Sequence, residues 1–279
     1  MNEQIVILDF GSQYTQVIAR RIRECSVYST ILRYDTPASE IAKLNPKGII
    51  LSGGPSSVYA PDAPLPDKAI FKLDVPILGI CYGVQLLAHY LGGRVEKGQK
   101  REYGKGTLTI ADSGCALFAG LPKTLQVWNS HGDKLTRFPK DFVVVGTTDN
   151  SDYAAIEHPK RRIFGIQFHP EVVHTPDGAK LIGNFVRKVA GLKGDWTMRA
   201  FREEAIDKIV AIISPETAVA KRLRDMGRES NNLIDCTMGR KLRSMVLTDS
   251  DFIFLSAMRP EALMQRMERP GTAEEAVED

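Results

Sequence analysis

Short apolar runs alternate with stretches of helical periodicity through the first two-thirds of the chain, and this alternation constrains the fold more than any other sequence feature. Apolar runs bounded by Gly, Pro, Asp or Ser predict buried strands at residues 5–10, 27–32, 48–51 and 76–80. Helices are predicted at residues 14–24 and 37–44, and from the last of these strands through residue 91. This order favours an α/β fold with parallel strands and helices on both faces of the sheet.

Between residues 108 and 166 the apolar segments become shorter and more strand-like, which indicates an antiparallel extension of the same sheet. Residues 178–190 then predict a closing amphipathic helix. A Gly-rich, charged stretch at residues 190–195 has the composition of a domain boundary. We therefore predict a first domain over residues 1–190 and a linker helix over residues 191–208.

A second, small α+β unit is predicted over residues 209–269, with the order strand, helix, three strands and helix. About 60 residues is close to the lower limit for a self-sufficient core, so we expect a partner or a homo-oligomer. Residues 270–279 contain four acids and no base, which predicts a disordered acidic tail.

Composition excludes several classes of protein. The chain has 43% hydrophobic and 25% charged residues, which rules out disordered, collagenous and disulfide-scaffold proteins. Its apolar runs are far shorter than the ~18 residues of a membrane-spanning helix, and its first residues do not resemble a signal peptide, so we expect a cytoplasmic protein with no membrane partner. The four cysteines form no CxxC pair, which fits a reducing compartment and predicts no metal site. A net charge of +3 is too small to indicate nucleic-acid binding.

Cys81 is the candidate nucleophile. It lies in the sequence GICYGVQ at residues 79–85, between a predicted strand and a predicted helix, with a glycine two residues away on each side. This is the pattern of a nucleophile elbow, in which a tight turn lifts the side chain off the sheet and a helix N-terminus stabilises a thiolate. The alternative is a buried structural cysteine at the end of a strand.

His169 and Glu171 are the candidate partners of that cysteine. Pro170 favours an extended backbone at His169, so both side chains should point to the same side. A base that deprotonates the thiol and a carboxylate that orients the imidazole would form a Cys-His-Glu triad. The other histidines compete for this role: we expect His89 to be structural, His158 and His174 to lie in surface turns or loops, and His131 to line the substrate pocket.

An acyl-transfer site also needs donors for a developing oxyanion. The Gly53-Gly54-Pro55 sequence follows a predicted strand, so the amide of Gly54 could pair with the amide of Tyr82 in this role. The alternative for this sequence is a simple turn.

Several separated motifs resemble those of the class I (triad) glutamine amidotransferases, and most closely the glutaminase domain of glutamine-hydrolysing GMP synthases. The resemblance covers about residues 1–208. The matching motifs are DFGSQY (9–14), SGGP (52–55), GICYGVQ (79–85), REYG (101–104), WNSHGD (128–133), FHPE (168–171) and WTM (196–198). Val84 stands where the family usually has methionine, a difference we expect to be harmless.

This resemblance implies a flavodoxin-like domain with a mixed central sheet. It implies that Cys81 attacks the side-chain amide of L-glutamine, that His169 transfers protons and that Glu171 orients His169. Ammonia would leave first, and water would then release glutamate from a glutamyl thioester. The implied substrate-binding residues are Gln85, Asn129, Ser130 and His131.

The chain departs from GMP synthases after the linker. It contains no SGGVDS phosphate loop of an ATP-pyrophosphatase domain, so ATP and Mg²⁺ would belong to a synthetase subunit in trans, and we predict no cofactor for this chain. Residues 208–267 instead resemble the RemA-like extracellular-matrix regulators, in motifs that include IVAIISPE (209–216), LIDCTMGRK (233–241) and LSAMRPE (255–261). That family is associated with DNA binding by oligomeric rings.

Arg240, Lys241 and Arg243 follow Gly239 and could present three cations to DNA phosphates, the alternative being a solvated turn. Three functions therefore stay open. The first is a glutaminase of GMP and purine biosynthesis, and the second is a glutamine-responsive fusion with a DNA-binding transcriptional regulator. The third is a vestigial or recombined fusion whose halves are not coupled.

Overall fold

The computed structural model describes residues 3–111, 114–197, 209–230, 232–237, 239–249 and 252–268. For residues 99–101 it describes the backbone only. The chain divides into two compact units, Met1–Trp196 and Thr197–Asp279. No helix among the described residues is both long and apolar enough to span a bilayer.

A nine-stranded mixed sheet forms the centre of the first unit, with the strand order β2-β1-β3-β4-β9-β8-β7-β5-β6. In chain order, β1 to β9 are Gln4–Asp9, Tyr28–Arg33, Gly48–Leu51, Ile77–Ile80, Arg94–Ile110, Thr124–Arg137, Val143–Thr148, Ser151–His158 and Ile163–Ile166. Neighbouring strands in the part of this order that runs β2-β1-β3-β4-β9 are parallel. The other neighbouring strands are antiparallel. The predicted parallel sheet with an antiparallel extension is confirmed.

Helices cover both faces of this sheet. In chain order, α1 to α4 are Thr15–Glu24, Ala38–Lys43, Tyr82–Leu91 and Gly178–Asn184. Strands β3 and β4 are buried along their whole length because side chains on both of their faces are covered. Two hydrophobic clusters result, one containing Ile7 and Ile18 and the other containing Val6 and Ile41.

The sequence did not predict the full length of the β5–β6 hairpin. We expected shorter strands only from residue 108 onward, whereas β5 begins at Arg94. The closing helix is also interrupted, because α4 continues into a π-helical turn at Phe185–Val189. Residues 191–197 are not helical, and the rest of the predicted linker helix lies outside the described residues, as does the predicted acidic tail.

The second unit is a small four-stranded sheet with two helices. Its strands β10 to β13 are Ile209–Ile213, Leu233–Asp235, Ser244–Thr248 and Ile253–Ser256, and its helices α5 and α6 are Ala218–Glu229 and Pro260–Glu268. The strand order is β10-β12-β13-β11. The predicted order of elements agrees with this small sheet-and-helix unit. Its buried core consists of Ala220, Met245, Ile253 and Leu255.

Candidate active site

Cys81 lies between the end of β4 and the start of α3, with φ 53° and ψ −103°. A positive φ is uncommon for a residue with a side chain and is maintained only where the surroundings enforce it. Gly79 and Gly83 enforce it by close packing: a Cβ atom on Gly79 would lie 2.6 Å from the carbonyl carbon of Gly83, and one on Gly83 would overlap the carbonyl oxygen of Leu51. The glycine spacing in the sequence therefore has a steric cause.

His169 and Glu171 follow β9 and lie beside each other. The Nδ1 atom of His169 is 2.7 Å from Oε1 of Glu171, and the imidazole also interacts electrostatically with the side chain of Cys81. His169 is 4% exposed and Glu171 is 0% exposed. The structure thus brings the three predicted side chains together, with His169 interacting with both Cys81 and Glu171.

Neighbouring groups fix the orientation of this line. The amide of His169 donates to the carbonyl of Trp128 over 2.9 Å, and the Thr175 hydroxyl donates to the carbonyl of His169 over 2.6 Å. The ring of Tyr14 meets the imidazole edge-on at a centroid distance of 5.4 Å. Arg21 of α1 donates from Nε to the backbone carbonyl of Glu171 over 3.2 Å.

The environment favours the protonated form of His169. Burial by itself lowers the pKa of the imidazole, but hydrogen bonds with Cys81 and Glu171 and the charge of Glu171 raise it to about 10. A cationic imidazole beside a cysteine stabilises a thiolate, which is the nucleophilic form of the side chain.

The other cysteines have different surroundings. Burial raises the pKa of the Cys115 thiol to about 12 and also raises the pKa of Cys25. Cys236 is exposed in the second unit. A protonated thiol is a poor nucleophile, so burial disfavours reaction at Cys25 and Cys115.

Three other histidines, His89, His158 and His174, pack against aromatic rings. His89 of α3 lies between Tyr59 and Tyr90, and His174 stacks on Trp128. His158 contacts Phe142, and burial lowers the pKa of its imidazole.

A cavity of about 600 Å³ opens in front of Cys81 and His169. Three of the predicted substrate-binding residues, Gln85, Ser130 and His131, line it. Gln85 lies one helical turn after Cys81 and donates from Nε2 to the carbonyl of Asp133 over 3.2 Å. Gly54 also lines the cavity and packs against Phe10 and the ring of Tyr82. Tyr82 is the first residue of α3, so its amide has no acceptor within the helix.

Asn129 does not line this cavity, and its implied substrate-binding role stays a prediction. Its side chain lies beside Gly106 of β5 and lines a second cavity of about 190 Å³.

Several further residues line the larger cavity without having been predicted as site residues from the sequence. They are Gly11, Ser12, Gln13, Tyr14, Ser56, Ser57, Lys97, Tyr103, Gly132 and Asp133. The first four follow β1, and the carboxyl ends of parallel strands converge at one edge of a sheet, so their position in the strand order could have identified them. Lys97 and Tyr103 belong to the unpredicted part of β5; Tyr103 lies in the recognised REYG motif, whereas no recognised motif contains Lys97.

The predicted basic cluster of the second unit lies on its surface. Arg240, Lys241 and Arg243 are all exposed, between Gly239, which has φ +76°, and the start of β12. Within the described part of the chain, none of the three side chains takes part in an ion pair.

Comparison with known proteins identifies the family. The sequence model of the class-I glutamine amidotransferases matches residues 6–189. The chain belongs to this family. Residues 205–267 match a different family model, described as extracellular matrix regulatory protein A-like. Both resemblances seen in the sequence are therefore confirmed.

Relatives of the amidotransferase domain carry the name GMP synthase [glutamine-hydrolyzing]. The one from Rhodopseudomonas palustris (strain HaA2) is 55% identical over 214 residues, which is 76% of this chain and 39% of the relative. The one from Aquifex aeolicus is 48% identical over 216 residues, which is 77% of this chain and 42% of the relative. The chain thus spans about two-fifths of the length of these relatives.

Solved structures show the same fold. A putative GMP synthase subunit from Thermoplasma acidophilum has a TM-score of 0.62 and 30% identity, covering 74% of this chain and 98% of its own. A glutamine amidotransferase from Thermotoga maritima has a TM-score of 0.55 and 19% identity, and the likeness covers 68% of this chain and 99% of the Thermotoga chain. The flavodoxin-like strand order of the amidotransferase domain agrees with both likenesses.

Proposed function

We propose that this protein hydrolyses L-glutamine to glutamate and ammonia, with Cys81, His169 and Glu171 as its catalytic triad. The observation that carries the proposal is the contact of the His169 imidazole with the buried Glu171 carboxylate, with both Cys81 and His169 lining a cavity of about 600 Å³. Membership of the amidotransferase family supplies the substrate class.

The reaction begins with the Cys81 thiolate, which attacks the side-chain carbonyl carbon of glutamine. The amides of Gly54 and Tyr82 donate to the oxyanion that forms. His169 then gives its proton to the leaving nitrogen, the C–N bond breaks, and ammonia departs from a glutamyl thioester. Neutral His169 next takes a proton from water, whose oxygen attacks the thioester; the C–S bond then breaks, glutamate leaves, and the Cys81 thiolate is restored beside protonated His169.

Polar groups on the cavity wall suit the amino and carboxylate groups of glutamine. Gln85, Ser130 and His131 supply side chains that donate or accept hydrogen bonds at this wall. Lys97 adds a cation that could pair with the α-carboxylate of the substrate. These contacts would select glutamine over a simple amide.

We further propose that the ammonia serves GMP and purine biosynthesis. The amidotransferase domain resembles the corresponding part of relatives named GMP synthase [glutamine-hydrolyzing]. The segment that follows it resembles RemA-like regulators instead of an ATP-pyrophosphatase. A separate synthetase subunit that binds ATP and Mg²⁺ would then accept the ammonia in trans.

Glutaminase assays of the full chain with Cys81→Ala test the triad. Loss of the nucleophile should lower kcat by about 10³-fold or more, and the glutamine analogue 6-diazo-5-oxo-L-norleucine should label wild-type Cys81 stoichiometrically but not the variant. Cys236→Ala removes an exposed cysteine in the second unit and should leave turnover and labelling unchanged. Labelling that persists in Cys81→Ala, or activity above a thousandth of wild type, would contradict the proposal.

A second function is favoured by the RemA-like segment and its exposed cations. We propose that Arg240, Lys241 and Arg243 contact DNA phosphates and that glutamine binding by the first domain regulates this contact. Because the core of the second unit is small, a homo-oligomer would both stabilise it and multiply the number of phosphate contacts.

A further inference from the structure

Glu102 and His131 form a second buried histidine–carboxylate pair. They are direct cross-strand partners in β5 and β6, and Oε2 of Glu102 lies 3.1 Å from Nε2 of His131. Both residues are more than nine-tenths buried. Such a pair is costly to build, because removing either partner leaves the other charge buried and uncompensated.

An irregularity in the hairpin creates this pair. Lys97 pairs with Asp133 and Glu102 pairs with His131, so the register shifts between Lys97 and Glu102. Bulges of this kind re-aim side chains and are common beside active sites. The shift brings Glu102 opposite the histidine that lines the larger cavity.

Both ring nitrogens of His131 lie close to oxygen atoms. Its Nδ1 atom is 3.1 Å from the carbonyl oxygen of Asp133, and its Nε2 atom is 3.1 Å from Oε2 of Glu102. The contact with His131 lowers the pKa of Glu102 although burial opposes this, so the carboxylate stays ionised.

The segment around His131 also forms the wall of the larger cavity. The carbonyl of Ser130 lies 3.7 Å from Sγ of Cys81, and the carbonyl of Asp133 accepts from Nε2 of Gln85. Rotation or displacement of His131 would therefore disturb the backbone that contacts the nucleophile and one proposed substrate-binding side chain.

The two partners line different cavities. His131 lines the cavity that contains Cys81, whereas Glu102 lines the smaller cavity of about 190 Å³. We propose that Glu102 is a positioning residue for glutamine binding, which acts through His131 without touching the substrate. This inference rests on the proposed glutaminase function. In it, Glu102 holds His131 in place and thereby keeps residues 130–133 of the cavity wall aligned.

Steady-state kinetics of Glu102→Ala and Glu102→Gln test this role. We expect the KM for glutamine to rise by about tenfold or more in both variants, while kcat changes much less, because the nucleophile and its base keep their own contacts. The rate at which iodoacetamide alkylates Cys81 should stay close to that of wild type. Acetate added to Glu102→Ala should lower KM again, because the smaller cavity has room for a carboxylate beside His131.

Glu96→Ala is the matched control. Glu96 lies on the same strand but is exposed, and pairs with Arg94, so KM should not change and acetate should have no effect. If the enzyme is active and KM is unchanged in both Glu102 variants, the role of Glu102 is overturned but the proposed function is not. The same holds if kcat and the alkylation rate fall together and acetate does not restore them. A wild-type chain that does not hydrolyse glutamine would overturn the proposed function and this inference together.

Discussion

The Nδ1 atom of His169 lies 2.7 Å from Oε1 of Glu171, so the imidazole and the carboxylate of the candidate active site are directly paired. Glu171 has no exposed surface, and among the described residues its Oε2 atom has no hydrogen-bond partner. A buried carboxylate in this position depends on a neighbouring cation. The imidazolium of His169 is that cation, and its electrostatic interaction with Cys81 extends the contact to the candidate nucleophile.

Replacing Glu171 with Gln should therefore lower the pKa of His169, which is raised to about 10 in the wild type. NMR titration of the imidazole measures this shift directly. We also expect kcat for glutamine hydrolysis to fall by about 10²-fold or more, because the amide cannot support the imidazolium. Glu40→Gln neutralises an exposed carboxylate on α2 and should change neither quantity.

The same pKa makes stability depend on pH. Because the folded protein holds the His169 proton more tightly than the unfolded chain, the contribution to the free energy of unfolding is fully present below pH 6.5 and is lost as pH rises through about 10. Glu171→Gln should flatten this dependence in denaturant titrations across that range. An identical pH dependence in wild type and variant would argue against the charged pair.

The sequence predicted that Cys81, His169 and Glu171 lie together because the features that place them are local. Gly79 and Gly83 flank Cys81 for steric reasons, and His169 and Glu171 both follow shortly after β9. Glu102 escaped detection although its motif was recognised, because a register shift between two strands set its position, and local pattern carries no information about such a shift.

Gly83→Ala should test the steric origin of the cysteine turn. Alanine normally favours a helix over glycine by about 1 kcal/mol, but here its Cβ would overlap the carbonyl oxygen of Leu51. We expect the overlap to dominate and to lower the free energy of unfolding by about 1–3 kcal/mol. Gly132→Ala is the control, since a Cβ there meets nothing within 4 Å. Equal stability of the two variants would contradict this account of the turn.

Coupling to a synthetase predicts that the isolated chain hydrolyses glutamine slowly. Adding an ATP-pyrophosphatase subunit with ATP, Mg²⁺ and xanthosine monophosphate should raise the rate of glutamate formation, because an amidotransferase that released ammonia without an acceptor would waste it. Cys81→Ala in the same mixture should form no glutamate and so serves as the control. Fast turnover by the chain alone, unchanged by the added subunit, would exclude the coupling.

Binding of DNA by the second unit predicts a defined salt dependence. If Arg240, Lys241 and Arg243 each contact one phosphate, the slope of log affinity against log salt should be about −0.9 per contact, or about −2.7 per protomer. Fluorescence anisotropy of a labelled duplex with the full chain measures this slope, and oligomerisation would multiply it.

Replacing Arg240, Lys241 and Arg243 together with Ala should remove that component of the slope. The control removes Lys43, Lys47 and Lys72, three exposed cations of the amidotransferase domain, and so makes the same change in net charge. Because Arg240, Lys241 and Arg243 would contact phosphates and not base edges, binding should vary little between duplex sequences. If the folded chain binds no duplex at low salt, or if both triple variants weaken binding equally, the Gly239 turn is a solvated surface and the RemA-like unit has another role.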